Sequence, residues 1–149
     1  MEQTVAVIGT TFIDCKGFSR NEYNPLGRNL GNIRFVNGGV GRNVAENLAL
    51  LGLSTFFVSA VDESALGGEV VARLTKSGAK LDYLEYAESC GMGMWLAILD
   101  QKGNLAGSVS QMPDLSILER IIAEKGQQIM QRASHIVLEL DLNSDISTI

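Results

Sequence analysis

Three glycines within four residues, Gly38, Gly39 and Gly41, run directly into a segment with the apolar spacing of a helix, and Arg42 and Asn43 stand at its start. A glycine loop that opens a helix brings free backbone N–H groups up to a ligand, often a phosphate. Two phosphate patterns can be tested by spacing. A dinucleotide fingerprint needs GxGxxG directly after a strand. Here Gly39 and Gly41 supply GxG, but the third position is Val44. Asp62 lies at about the distance of the acidic residue that should follow, yet the unit it closes does not begin at the first strand. A P-loop needs a glycine followed by Lys-Ser or Lys-Thr, and the chain has none. What remains is a Gly-Gly bend that lets backbone approach a ligand closely, beside an asparagine able to donate to and accept from a hydroxyl. The same residues fit a structural role equally: glycines for tight helix–sheet packing, Asn43 to cap or solvate a loop. Spacing alone leaves both open.

Other residues with chemical capacity stand singly. Asp14 follows a strand and could do no more than close a turn. Arg42 is either a ligand contact or the i,i+4 partner of Glu46. Cys15 lacks a basic neighbour to activate it, except Lys16, and reads as a small strand residue. Trp95 reads as packing and His135 as structural. Glu139, Asp141 and Asn143 alternate at the end of a strand, where ligands bind in parallel sheets, although a solvated strand end explains them as well.

These residues are carried by a legible series of elements. Residues 4–9, TVAVIG, form a β-branched run ended by glycine, a buried strand. Residues 16–36 are polar and turn-rich, either a long loop or a loose hairpin ending in NIRFV. The helix after the glycines places Val44, Leu48 and Leu51 on one face, with Ala45 and Ala49 beside them and Gly52 as its C-terminal stop. Residues 55–61 are a strand. Residues 65–77 are a helix with Ser64 as N-cap and Gly78 as its end. This alternation predicts an α/β fold with a largely parallel sheet. The pattern then changes: LDYLEYA is a strand, and GMWLAILD and NLAGSVSQ flank QKG as a hairpin that leaves the parallel sheet. A helix over about 115–132, broken or weakened at Gly126, precedes the strand HIVLEL, and Ser144 could cap a helix that has barely begun. A domain rarely stops there, so the chain is expected to be a fragment of a longer protein.

Composition narrows the function classes. At 149 residues, 46% hydrophobic and 19% charged, the chain is a single folded unit rather than a disordered one. A net charge of -5, with 12 Lys and Arg scattered from Lys16 to Arg132, argues against nucleic acid as a partner. Two isolated cysteines and one histidine supply neither a disulfide framework nor a zinc set. There is no leader-like start and no apolar run near the ~20 residues of a membrane span. A reducing cytoplasm is the natural compartment, with no membrane partner.

Resemblance adds what spacing leaves open. GGVGRNVAENLALLG resembles the first signature of the ribokinase-like (PfkB-type) family of sugar and nucleoside kinases: a glycine pair, an asparagine, a small residue two further on, and a helix ending in glycine. Gly38, Gly39, Asn43, Ala45 and Gly52 hold those places. VAVIGTTFIDCKG resembles the opening strand with its glycine and aspartate, Gly9 and Asp14. VDESALGGEVVARLTKSGAKLDYL resembles the following strand-end aspartate and helix, and WLAILDQKGNL resembles a lid hairpin. The likeness covers nearly the whole chain, and among subgroups the segments look most like pseudouridine kinases.

The resemblance implies a Rossmann-type, mostly parallel sheet flanked by helices. Residues 1–149 would form the N-terminal part of the kinase domain, with lid segments at about 15–36 and 91–111. It implies an enzyme that moves the γ-phosphoryl group of ATP, with Mg2+, to a hydroxyl of a sugar or nucleoside, such as pseudouridine to its 5′-phosphate. Asp14 would accept from ring hydroxyls, Gly38 and Gly39 would let the backbone lie against the sugar, and Asn43 would bind another hydroxyl. The partner is that small molecule, together with a second copy of the chain through paired lid strands. Two departures matter. Residues 91–94, GMGM, stand where such lids often carry small hydroxyl residues. Nothing matches the second signature, a Gly-Ala-Gly-Asp loop with the anion hole and catalytic aspartate. No catalytic or metal-binding residue is therefore assigned, no bound cofactor is expected, and the chain alone is expected to lack kinase activity. A non-catalytic sugar- or nucleoside-binding or oligomerisation module is the alternative.

Overall fold

A computed structural model of the chain describes residues 3–139, 141 and 142. Asn143 and the helix expected after Ser144 lie outside them. Eight strands and three helices follow in the order β1 (Thr4–Ile8), β2 (Phe12–Ser19), β3 (Gly31–Gly38), α1 (Val40–Leu50), β4 (Ser54–Asp62), α2 (Ala65–Ser77), β5 (Lys80–Ala87), β6 (Gly93–Leu99), β7 (Leu105–Gln111), α3 (Leu115–Arg132) and β8 (His135–Leu138). They build two four-stranded sheets, one in the order β5-β4-β1-β8 and the other β3-β2-β6-β7.

The first sheet is parallel throughout and is covered on both faces. Val5 and Val7 of β1 and Phe57 and Val61 of β4 pack with Ala45 and Ala49 of α1 and Val70 and Leu74 of α2. The alternate residues, Ala6 and Ile8, Phe56 and Val58, pack with Leu118, Ile121, Ile122 and Ile129 of α3. Burial on both sides explains why β1 and β4 read as unbroken apolar runs. The fold is the α/β arrangement expected from the sequence.

Local signals set the helices. Ser64 accepts from Gly67 N at 3.1 Å, and Gly78 closes α2 in the left-handed conformation at φ 91°. Two readings need correction. Helix α3 is continuous through Gly126, which is buried. Burial of Leu118, Ile121, Ile122 and Ile129 against the sheet outweighs the roughly 1 kcal/mol that a helical glycine costs. Leu51 is not part of the apolar stripe of α1; it is the C-cap, 78% exposed. The helix lies so close to the sheet that its small residues Gly41, Ala45 and Ala49 face inward.

The second sheet grows from the carboxyl end of the first. β1 leads into β2 through residues 9–11, and β5 leads into β6, so β2 and β6 run parallel. Each then turns back, β3 on β2 and β7 on β6, antiparallel. The segment 16–36 is therefore a hairpin, with strands longer than the sequence suggests. Asp100 secures the second turn by accepting from Lys102 N and Asn104 N at 2.8 and 2.9 Å.

Charge holds α3 to the sheet edge. Glu85 of β5 meets Arg120 at 2.7 Å and Lys125 at 3.0 Å. Burial pushes its carboxyl up, but the bonds from Lys125 and Arg120 win and hold it below the ordinary value. A lowered folded-state pKa gives stability that is present above the unfolded value of about 4.3 and lost as pH falls through the folded one. Glu85→Gln is expected to flatten that part of the acid-unfolding curve and to matter least at the acid end, where the carboxyl is protonated in both states. Denaturant titrations at stepped pH check it.

Candidate functional site

The second sheet has two unlike faces, because residues two apart along a strand share a side. Register places Val36, Asp14, Trp95 and Ser110 in one row across the four strands, and Arg34, Lys16, Ala97 and Ser108 in the next row on that same side. Lys16 Nζ lies 3.2 Å from Asp14 Oδ2 and 5.7 Å from the centre of the Trp95 ring. Lys16 is thus Asp14's partner rather than an activator of Cys15. The other side carries Phe35, Cys15, Leu96 and Val109 in one row.

At the base of the polar face the three glycines have three separate physical reasons. A Cβ on Gly38 would stand 2.7 Å from Asp14 Oδ1, so its absence leaves room for that carboxyl. Gly39 caps α1 at φ 88°, a left-handed conformation, with Thr10 O where a side chain would begin. Gly41 lies against Gly9, and a Cβ on it would meet Gly9 Cα at 2.7 Å and Glu139 Oε2 at 3.0 Å.

Glu139 corrects the solvated strand end that the sequence suggests. It follows β8, is 8% exposed, and turns inward. Its Oε2 accepts from Thr10 N at 2.7 Å and Gly41 N at 3.1 Å, and Thr10 Oγ1 donates to the same carboxyl at 3.1 Å. The start of α1 therefore already holds a carboxyl group of its own chain. A helix N-terminus favours a negative group, and this one is supplied from within. Arg42 N points to Thr10 O at 3.4 Å, and Asn43 N to Gly39 O at 3.0 Å. Against a phosphate cradle, for which spacing gives only weak support, stands the carboxyl already on Gly41 N.

Arg42 is 1% exposed. Its Nε donates to Gly38 O at 2.9 Å, Nη2 contacts Asn37 O and the Asn43 side-chain oxygen, and Nη1 contacts Glu46. Glu46 in turn accepts from Arg73 of α2 at 2.7 Å. Burial pushes the Arg42 guanidinium down from its ordinary value, opposed by the charge of Glu46, and a guanidinium stays charged under such shifts. The i,i+4 pair is present, and it is only part of what Arg42 does. The four candidate residues thus meet at one place: Gly38 borders Asp14 on one side and, through its carbonyl and Arg42, the Asn43 side chain on the other. Asn43 itself is exposed at the first turn of α1.

Asp62 ties in the remaining strand. Its Oδ1 accepts from Gly91 N at 2.5 Å and Met92 N at 3.2 Å. Gly93 N donates to Thr11 O at 2.8 Å. The strand that carries Trp95 is thereby seated beside the strand that carries Asp14.

The family model of pfkB family carbohydrate kinases matches residues 2–134. The chain belongs to the pfkB carbohydrate kinase family. It is 41% identical over 139 residues to a guanosine-inosine kinase of Exiguobacterium acetylicum, covering 93% of this chain and 46% of that protein. It is 32% identical over 142 residues to a pseudouridine kinase of Escherichia coli K12, covering 95% of this chain and 45% of that one. A solved structure of a sugar kinase from Clostridium perfringens, described there as putative, superposes with a TM-score of 0.85 at 29% identity, over 99% of this chain and 46% of the other. The chain spans about half the length of the pfkB relatives it matches.

The Glu139 contacts generate a stability prediction. Replacing it with Leu leaves Thr10 N and Gly41 N buried without an acceptor and should cost about 2–4 kcal/mol. Glu139→Gln keeps a carbonyl oxygen for both donors and should cost roughly 1 kcal/mol, the loss of charge at the helix start. Urea unfolding of the two variants separates them; equal costs would remove the paired-acceptor role.

Proposed function

We propose that the chain forms the substrate-side part of an ATP-dependent kinase that phosphorylates a hydroxyl of a nucleoside. The observation that carries this reading is the meeting of Asp14 and Asn43 at Gly38. Asp14 offers oxygens that accept from hydroxyls. Gly38 and Gly39 let the backbone come up to the sugar where side chains would block it. Asn43 binds a further hydroxyl from the first turn of α1. Trp95 and Lys16 stand on the same face of the second sheet, which acts as a lid over the sugar, with lid segments near 15–36 and 91–111.

The part these residues play in phosphoryl transfer is positioning: they hold the sugar ring so that one primary hydroxyl is presented in line. ATP and Mg2+ are proposed to be held by residues other than the glycine bend. The glycine-rich start of α1 is already occupied by Glu139, and among the described residues no three His, Cys, Asp or Glu gather as metal ligands. No step through ATP is derived from this chain, which alone is proposed to be inactive. The nucleotide is held by other residues of the enzyme, and the compartment is the cytoplasm.

Names of relatives favour a nucleoside over a free sugar. The guanosine-inosine kinase likeness, at 41% identity, adds purine nucleosides to the pseudouridine that the sequence resemblance suggests. A second copy of the chain is the proposed protein partner. The apolar side of the second sheet leaves Ile33 70%, Phe35 57% and Val109 68% exposed, a patch suited to burial against an identical patch.

Two predictions test the reading. In the full-length protein, assayed with ATP and guanosine, inosine, pseudouridine and ribose, Asp14→Ala and Asn43→Ala should each lower kcat/KM for the preferred substrate at least about tenfold, since each leaves a substrate hydroxyl unpaired. Unchanged values would show that these residues do not bind substrate. Phe35→Asp should turn a dimer into a monomer by light scattering; a wild-type protein that is already monomeric contradicts the dimer.

A further inference from the structure

The guanidinium of Arg42 has more partners than an ion pair requires. A guanidinium carries five N–H donors and no acceptor. In this protein they are spent on Gly38 O, Asn37 O, the Asn43 side-chain oxygen and Glu46. Three of those four acceptors belong to the glycine bend and to Asn43. The fourth, Glu46, is itself held by Arg73 of α2 at 2.7 Å, so the guanidinium is anchored from behind and its fork is directed at the site.

We propose that Arg42 is a positioning residue that fixes the orientation of the Asn43 amide, and with it the hydrogen-bonding sense of that corner of the pocket. The chemistry of the pair leaves one choice. Because a guanidinium can only donate, the Asn43 atom turned toward it is the carbonyl oxygen; the flipped amide would set NH2 against N–H. The Asn43 NH2 group, which has no partner among the described residues, is therefore the part presented to the ligand. A ligand atom over Asn43 must accept, while a ligand group over the Asp14 carboxyl must donate. Two neighbouring hydroxyls satisfy this only in one direction: the one at Asp14 gives its proton to the carboxyl, and the one at Asn43 uses its lone pair.

A purely structural Arg42 would be satisfied by Glu46 across one helical turn. The contacts with Asn37 O and Gly38 O also hold the carbonyls of the bend, so the same side chain keeps the Gly38 backbone in place beside Asp14. The inference rests on the substrate reading of Asp14 and Asn43 given above.

The decisive variant is Asn43→Asp, which keeps an oxygen for Arg42 and removes the donor that Asn43 offers to the ligand. It is made in the full-length protein, beside Asn43→Ala and Arg42→Lys. KM is measured for whichever of guanosine, inosine and pseudouridine gives the highest wild-type kcat/KM, with thermal midpoints in parallel. Asn43→Asp is expected to keep the wild-type midpoint within a few degrees and to raise KM about tenfold or more, as Asn43→Ala does. Arg42→Lys, which keeps charge but not the fork, is expected to raise KM with kcat held within about twofold. A wild-type KM for Asn43→Asp together with a raised KM for Asn43→Ala overturns the proposal alone, because that corner would then take a hydroxyl in either hydrogen-bonding sense. A wild-type KM for Asn43→Ala overturns the substrate reading and this inference with it. Should Arg42→Lys not fold, the Asn43 pair still decides.

Discussion

The carboxyl group of Glu139 joins parts of the chain that are 98 and 129 residues apart in sequence, and the geometry of the glycine bend depends on it. It takes the N–H groups of Thr10 and Gly41 at once. To do so, β8 must lie beside β1, and α1 must start within hydrogen-bonding distance of the carboxyl end of the sheet. A buried carboxyl is costly unless its lone pairs are used; three donors from Thr10 and Gly41 use them. The close approach this demands is visible in Gly9 and Gly41. A Cβ on Gly9 would fall 2.5 Å from Glu139 Oε2 and 2.8 Å from Gly41 Cα.

Much else follows from that constraint. With the start of α1 already holding a negative group, Gly41 N is not left for a phosphate, and the bend is proposed to serve hydroxyls. Gly38 turns its bare side to Asp14, Arg42 gathers the carbonyls of Asn37 and Gly38, and Asn43 is left at the surface. Asp62 performs a parallel task on the next crossover, where its carboxyl holds Gly91 and Met92 and seats β6 beside β2. Two acidic side chains at the carboxyl end of the parallel sheet thus each organise one route into the second sheet and its neighbours. That end is where α/β folds place ligands.

How much of this was legible depended on range. Helix α2 could be read to its last residue because Ser64 and Gly78 act within one turn. The β6–β7 hairpin was legible from its glycine-containing turn, and Asp14 and Asn43 were singled out with the help of family resemblance. Arg42 was half legible: its partner Glu46 is four residues away, but its contacts with the bend depend on where β3 ends. Glu139 read as a solvated strand end because its partners belong to the first 41 residues, and no local pattern marks them. The parallel pairing of β2 with β6 was hidden for the same reason, and Leu51 misled because periodicity does not show where a helix stops.

The central claim is that the glycine bend at α1 receives sugar hydroxyls while Glu139 fills its anion position. The most direct measurement is a crystal structure of the full-length protein with the nucleoside proposed as its substrate and a non-hydrolysable ATP analogue. Ribose hydroxyls are expected within hydrogen-bonding distance of Asp14 and the Asn43 side-chain nitrogen, with Glu139 still bound to Gly41 N. A phosphate oxygen on Gly41 N, with Glu139 displaced, would contradict it.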